Sequence, residues 1–365
     1  MKRMNDVSKG MRQAMERRDR DKGEYRGVRM LRTRVPFLDD DKVDGYYLGM
    51  DMGGSNFRIS VIHASMNSNE RKCKIVEAMK WKIPDSAKNE SIFNWAAQRI
   101  QEALVTFQKY NLCKINCEFL IGFTFSFPVK QEELHEGILL QWNKSFNAPS
   151  LIGKDIAREL ERECLGLGLK VRIGSVINDS VATLLTGMFL HEGCKLAVIL
   201  GSGTNACLVH YSGDLVNTEW AAYGEHRDDS LPIEEFDKIF DSTCETGRQY
   251  FEKMTSGLYL PRLYSLITKK ECASAKDLGE LEAAGDRTAR MLTDRSVQLI
   301  AAGIRGALEY IGVDEQSAVV VIDGSMYEKY FEYKERLQAA LPYVKFIIGK
   351  DYSSIGNIIP LLSNS

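Results

Sequence analysis

The chain reads as an α/β protein built twice on one plan. Two observations carry that expectation. From residue 46 onward, apolar strand-like runs alternate with amphipathic helical stretches, the order expected of α/β architecture. In addition, two glycine turns align, Gly54-Ser55-Asn56 over Gly203-Thr204-Asn205 and Met52 over Gly201. Each follows an apolar strand and precedes another. The copies lie roughly 150 residues apart, so they mark a duplicated domain plan rather than a short solenoid repeat.

The elements follow in order. Residues 1–34 are basic, with twelve Lys/Arg against five Asp/Glu, and Met4, Val7, Met11, Ala14 and Met15 fall at helical spacing. This predicts a terminal helix that packs an apolar stripe on the body and solvates a basic face. Tyr46–Asp51, Arg58–His63 and Lys74–Trp81 are strand-like, and Ser91–Tyr110 is an amphipathic helix with Trp95, Ile100, Leu104 and Phe107 on one face. FLIGFTFSFPV (119–129) and VRIGSVIND (171–179) read as buried strands flanking a helix at Asp155–Leu165. LAVILGSGTNACLVHY (196–211) repeats the first hairpin, helices are expected near 233–266 and 280–311, and AVVVIDGS (318–325) is a late buried strand before a helix at 326–341.

Composition narrows the function. At 365 residues, with 44% apolar and 27% charged residues, the chain can bury two cores. A net charge of −2 lacks the basic footprint of a nucleic-acid binder. No run approaches a membrane span, and no apolar signal region follows the N-terminus. Its eight cysteines form no C-x-x-C and the five histidines are scattered, so reduced thiols, a cytoplasmic setting and no zinc site are expected. Secretion after removal of a signal peptide stays open.

The glycine turns point to an anionic ligand. Glycine lets backbone N–H groups approach phosphate oxygens, and Ser55 and Thr204 add hydroxyls. Facing each other across a cleft, two such turns suit a nucleoside triphosphate. Asp51 would repel phosphate, so its sensible role is to hold Mg²⁺, through water. Gly201-Ser-Gly203-Thr-Asn-Ala206 also matches the dinucleotide pattern G-x-G-x-x-A, but β-prone CLVHY follows where that fingerprint needs a helix. No G-x-x-x-x-G-K-[ST] loop occurs, which disfavours a P-loop kinase.

Several segments, taken in order, resemble the eukaryotic-type hexokinases, glucokinase included, of the actin-like ATPase superfamily. LGMDMGGSNFR (48–58) is similar to the family's phosphate segment, and GFTFSFPVKQ (122–131) with EGILLQWNKSF (136–146) to its sugar signature. VINDSVAT (176–183), GSGTNACLV (201–209), VNTEWAAYGE (216–225), FEKMTSGLYL (251–260) and VVIDGSMYEKY (320–330) match further family segments. The resemblance implies two duplicated ribonuclease-H-like domains around a cleft: a helix and linker (1–43) on the large domain, a small domain (44–180), a large domain (181–350) and a C-terminal segment (351–365) returning toward the small domain. It implies ATP and Mg²⁺ as cofactors and a hexose, glucose foremost, as substrate. Asp179 would be the general base for the sugar's 6-hydroxyl and Lys144 the cation beside it and the γ-phosphate. Ser126, the Phe127 backbone, Asn143, Lys144, Asn178, Asp179, Asn205, Glu219 and Glu252 would hold the sugar. Asp51, Gly53, Gly54, Ser55, Asn56, Arg58, Gly201, Ser202, Gly203, Thr204, Gly324 and Ser325 would hold the nucleotide, with Asp51 toward the metal.

The sequence also departs from the family pattern. The chain is short between Tyr259 and Asp294, Asn143 and Ser145 replace a Thr and a Gly, and Glu245-Thr246-Gly247 replaces Asn-Pro-Gly. In DYSSIGNIIPLL (351–362), glycines and a lysine of the adenosine loop are lost, and Ile355 stands where the lysine would be. An alternative is therefore kept: a weak or inactive hexose-binding regulator of the same fold. Retention of Asp51, Lys144 and Asp179 argues for the enzyme.

Overall fold

A computed structural model of the chain describes residues 2–21, 27–33, 35, 43–67, 70–112, 118–142, 145–226 and 229–364. Two compact units form, each from two stretches of sequence: Arg32–Leu190 with Asp351–Ser365, and Met1–Leu31 with His191–Lys350. The helix Asp179–Leu190 thus belongs with the residues before it, and the division falls after Leu190 rather than after residue 180.

The chain opens with helix α1 (Lys2–Arg20) and the short strand β1 (Leu31–Thr33). The first sheet then begins as a meander, β2 (Val43–Met52), β3 (Asn56–Asn67) and β4 (Glu70–Lys82), before helix α2 (Ile92–Thr106). Next come β5 (Phe119–Phe125), the small hairpin β6 (Val129–Lys130) and β7 (Ile138–Leu139), α3 (Ile156–Gly166), β8 (Val171–Ile177) and α4 (Asp179–Leu190). The sheet order is β4-β3-β2-β5-β8; β2, β3 and β4 pair antiparallel, while β2, β5 and β8 run parallel. Ile92, Phe93, Ala96, Ala97, Ile100, Ala103 and Leu104 of α2 are buried, the 3.6-residue stripe that the sequence shows. The edge strand β4 carries Lys72, Lys74, Lys80 and Lys82, charges that discourage edge-to-edge pairing.

The second sheet repeats this plan. Its meander is β9 (Cys194–Leu200), β10 (Thr204–Val209) and β11 (Leu215–Asn217). Helices α5 (Glu235–Asp241), α6 (Tyr250–Thr255), α7 (Leu260–Thr268), α8 (Ala275–Ala283) and α9 (Arg287–Tyr310) follow, then β12 (Val319–Asp323), α10 (Ser325–Lys329), α11 (Tyr333–Ala340) and β13 (Lys345–Ile348). The order is β1-β11-β10-β9-β12-β13, with β9, β12 and β13 parallel. Apart from β1 at the edge, both sheets run third-second-first-fourth-fifth in their own strand order, so the duplication inferred from two turns extends to the whole sheet. The long helices expected at 233–266, 280–311 and 326–341 are each subdivided. At the second break, Asp286 caps α9 by accepting the Thr288 and Ala289 amides. Helix α1 buries Val7, Met11, Ala14 and Met15 and packs along α9.

After Lys350 the chain forms α12 (Tyr352–Ile355) and 3-10 turns over Gly356–Asn364, which lie on β2, β5, β8 and α4. The contact is polar as well as apolar. Asn357, fully buried, donates to the Met50 carbonyl at 2.8 Å and to Thr124 Oγ1 at 3.1 Å, and Ser175 donates to the Asn357 carbonyl at 2.6 Å. Gly122 makes this possible, because a Cβ there would run into the Asn357 carbonyl. Among the described residues no helix is long and apolar enough to cross a membrane.

Candidate active site

In the first unit, β2, β5 and β8 are parallel neighbours. The residues that follow their C-terminal ends are Gly53, Ser126 and Asn178-Asp179, so the strand order alone gathers three of the segments singled out in the sequence. This is the edge where open α/β sheets bind ligands. The turn after β2 is closed by the Gly53 amide on the Asn56 carbonyl at 3.0 Å, and Ser126 N–H donates to the Met52 carbonyl at 3.1 Å. Gly53 and Gly54 are half-buried, Ser55 and Asn56 exposed. Asp51 and Arg58 face each other across β2 and β3. Arg58 Nη1 donates to Asp351 Oδ1 at 2.6 Å and to Ser354 Oγ at 3.2 Å, and Ser354 donates to Asp51 Oδ2 at 2.8 Å. Arg58 therefore ties the turn to the C-terminal segment.

Phe127 is fully buried in an aromatic cluster. Its ring lies 4.9 Å from Trp142 and 4.9 Å from Phe146, and those two stack at 5.1 Å and 10°. Trp142 Nε1 donates to the Ala148 carbonyl at 2.8 Å. The cluster anchors both flanks of residues 143–144; Asn143 and Lys144 themselves lie outside the described residues. Asn178 Oδ1 accepts the Ser180 amide at 2.9 Å and the Ser180 hydroxyl at 2.7 Å, and its backbone carbonyl accepts the Ala182 amide at 2.9 Å. Asn178 is thus the cap of α4. Asp179 is the first helical residue, half-exposed, with Oδ1 accepting the Ser180 amide at 2.9 Å.

In the second unit the parallel strands β9 and β12 bring Gly201 and Gly324 side by side. Gly324 has φ +135°, and a Cβ there would strike the Leu200 carbonyl; one on Gly201 would lie 3.8 Å from the Ser325 amide. The main chain at Gly201 and Ser202 is held from α6's far end, Gly257 N–H donating to the Gly201 carbonyl at 2.9 Å and Leu258 N–H to the Ser202 carbonyl at 3.1 Å. Thr204 departs from its expected role as a hydroxyl donor to phosphate. It is buried, donates to the Ile199 carbonyl at 3.1 Å and accepts Trp220 Nε1 at 3.0 Å, while its amide donates to Glu252 Oε2 at 2.9 Å. The turn itself engages these groups.

Asn205, Glu219 and Glu252 gather around this turn. Asn205 Nδ2 donates to Asn217 Oδ1 at 2.9 Å and to Glu219 Oε1 at 3.4 Å, and Asn217 Nδ2 donates to Glu219 Oε1 at 2.8 Å. Glu219 is held in the left-handed region, φ +48°, ψ +44°, an uncommon setting that clusters at functional sites. Asn217 is a residue that sequence reasoning left out of the site; its place in V-N-T-E-W was the available signal. Behind Glu252, Lys253 Nζ is buried against Asp241 Oδ1 at 2.6 Å and the Glu245 carbonyl at 2.6 Å, and Tyr250 donates to Asp241 Oδ2 at 2.9 Å. Burial pushes the Asp241 carboxyl up, but the Lys253 ammonium, the Gly247 amide and the Tyr250 hydroxyl together hold it below the usual range. Tyr259 is pushed up to about 12, chiefly by burial and further by the Glu252 charge.

Among the described residues no group of three or more His, Cys, Asp or Glu could cage a metal ion. Mg²⁺ usually takes one or two carboxylates, waters and substrate phosphates rather than a protein cage; Asp51, half-buried at the end of β2 beside the first glycine turn, is a carboxylate with that chemistry.

Two sequence patterns, both described as hexokinase, match this chain, one over residues 1–189 and one over 195–283 and 280–356. Hexokinase-7 of rice (Oryza sativa subsp. japonica) is 28% identical over 383 residues, covering 86% of this chain and 81% of that protein. Hexokinase-1 of tobacco (Nicotiana tabacum) is 28% identical over 418 residues, covering 93% and 83%. Among solved structures, the hexokinase from Schistosoma mansoni complexed with glucose superposes with a TM-score of 0.81 at 22% identity, covering 99% of this chain and 95% of that one. A ROK family glucokinase from Streptomyces griseus in complex with glucose and AMPPNP superposes at 0.57 and 15% identity, covering 88% and 100%. The fold is therefore the α/β actin-like ATPase fold expected from the sequence.

Proposed function

This chain belongs to the hexokinase family, and from that premise we propose that it transfers the γ-phosphoryl group of ATP to the 6-hydroxyl of glucose or a related hexose, with Asp179 as general base. One observation supports the base assignment above the others: Asn178 supplies both side-chain bonds that cap α4, while Asp179 gives one oxygen to the Ser180 amide and stays half-exposed at the end of β8. A carboxylate placed there can accept the hydroxyl proton as the oxygen attacks phosphorus.

The remaining residues position and neutralise, which is most of phosphoryl transfer. Ser126, the Phe127 backbone and Asn178 are assigned to the sugar, Asn178 through its amide because its carbonyl serves the cap. Asn205, Glu219 and Glu252 are assigned to the same sugar, with Asn217 holding Asn205 and Glu219 in place. Hexose hydroxyls both donate and accept, so a set of paired amides and carboxylates favours them over analogues that leave buried groups unmatched. Gly53, Gly54, Ser55 and Asn56, and Gly201, Ser202, Gly203, Gly324 and Ser325, are assigned to the nucleotide, while Thr204 shapes its turn from within. Asp51 would hold Mg²⁺ through water, and the bound ion would neutralise charge on the phosphates. Lys144 keeps its role beside the 6-hydroxyl on the sequence alone. A cytoplasmic setting is proposed from the cysteine pattern of the sequence alone.

The test is Asp179→Asn, followed by ADP release with ATP, Mg²⁺ and a panel of glucose, fructose, mannose and glucosamine, and by glucose binding at equilibrium. We expect turnover to fall ~10²–10⁴-fold with glucose affinity nearly unchanged. A variant that keeps most of its turnover would refute the base assignment. A wild-type protein that binds glucose and turns over none of the sugars would establish the regulator instead.

A further inference from the structure

We propose that Ser354 is a positioning residue for Asp51, holding that carboxylate and the Arg58 guanidinium in register so that Asp51 serves the nucleotide-borne metal ion. The inference rests on the metal role proposed for Asp51. Ser354 is buried, 3% exposed, on α12. Its hydroxyl takes an N–H from Arg58 at 3.2 Å and gives its own proton to Asp51 Oδ2 at 2.8 Å. One oxygen atom therefore touches both members of an oppositely charged pair that face each other across β2 and β3.

The helix that carries Ser354 is itself fixed. The Ser353 carbonyl accepts Thr124 Oγ1 at 2.7 Å and the Tyr352 carbonyl accepts Thr186 Oγ1 at 2.9 Å; Thr124 is the partner of Asp51 in the β2/β5 register. Asp351 anchors the guanidinium from the other side, 2.6 Å from Arg58 Nη1. Bonds to ionised groups are the strong ones, and here two of them meet on one hydroxyl. Removing it frees one carboxylate oxygen to rotate and lets the guanidinium collapse onto the carboxylate. Either change costs Asp51 its aim at metal-bound water, while the groups assigned to phosphate and sugar stay as they are.

The experiment measures AMPPNP affinity by calorimetry with and without Mg²⁺, and glucose affinity separately, for the wild type, Ser354→Ala, Ser354→Thr, Asp351→Asn, Asp51→Asn and the Ser354→Ala/Asp51→Asn double variant. The informative quantity is the gain in affinity that Mg²⁺ confers. We expect Ser354→Ala to reduce that gain about tenfold, in keeping with loss of a charge-assisted hydrogen bond, with metal-free AMPPNP and glucose affinities within twofold of wild type. Ser354→Thr, which keeps the hydroxyl, should retain the gain, and Asp351→Asn, which loosens the same guanidinium without touching the hydroxyl, should lose part of it. In the Asp51→Asn background, Ser354→Ala should have no further effect, because both act through one group. If Asp51→Asn loses the gain and Ser354→Ala does not, the inference about Ser354 is overturned and the role of Asp51 stands. If Asp51→Asn keeps the gain, the metal role of Asp51 fails and Ser354 loses its purpose. An equal fall in metal-free and metal-bound affinity for Ser354→Ala would mark a merely structural residue and also overturn the inference.

Discussion

Lys253 is 4% exposed and its ammonium faces Asp241, whose side chain is 6% exposed, at 2.6 Å. Lys253→Met would leave a buried carboxylate without its counter-charge, and we expect a loss of ~3–5 kcal/mol, read as a lower midpoint in urea. The pair also sets a pH dependence. Because the folded state holds the Asp241 carboxyl below its ordinary pKa of about 3.9, its contribution is complete above that value and is lost as pH falls through the lower, folded one. Asp241→Asn should therefore flatten the acid limb of the stability curve below about pH 4, while wild type falls steeply there. At this scale the sequence was legible in where Asn178 and Asp179 fall, directly after the apolar run that forms β8. It was not legible at Thr204, because nothing in GSGTN says that Trp220, sixteen residues on, will occupy the hydroxyl.

Among elements, the segment Tyr352–Asn364, expected to return toward the small domain with its adenosine loop altered, packs as a buried splint on β2, β5 and β8. Asn357→Ala would strip the Met50 carbonyl of its partner inside the sheet, a buried vacancy that costs ~1–3 kcal/mol. Chemical denaturation should register it, and amide exchange should localise the loosening to β2 and β5. Strands were the most legible elements, since alternation and apolar runs survive in any context. Helix limits were not: helices are expected near 233–266, and the break between α5 and α6 comes where Asp241 turns inward to bind Gly247 N–H and Lys253. No local pattern announces such a tertiary partner.

For the molecule as a whole, the two aligned turns foretold two matching sheets, and the matching strand order is their physical basis. Where each unit begins and ends was harder to read, because each recruits a distant piece of chain: α1 joins α9 in one, and Asp351–Ser365 joins Arg32–Leu190 in the other. Ending the chain after Lys350 should make Arg32–Leu190 protease-sensitive while His191–Lys350 keeps its resistance, checked by limited digestion and mass spectrometry. Equal resistance of both would show the splint to be dispensable.

The same splint orders events at the ribosome. The sheet translated first cannot fill the gap over Gly49 and Gly122 until Asn357 has been made, after all of residues 191–350. Nascent chains stalled before that point would carry a sheet with an open polar face, a standing invitation to chaperones, and the sheet synthesised first would be the last to become native.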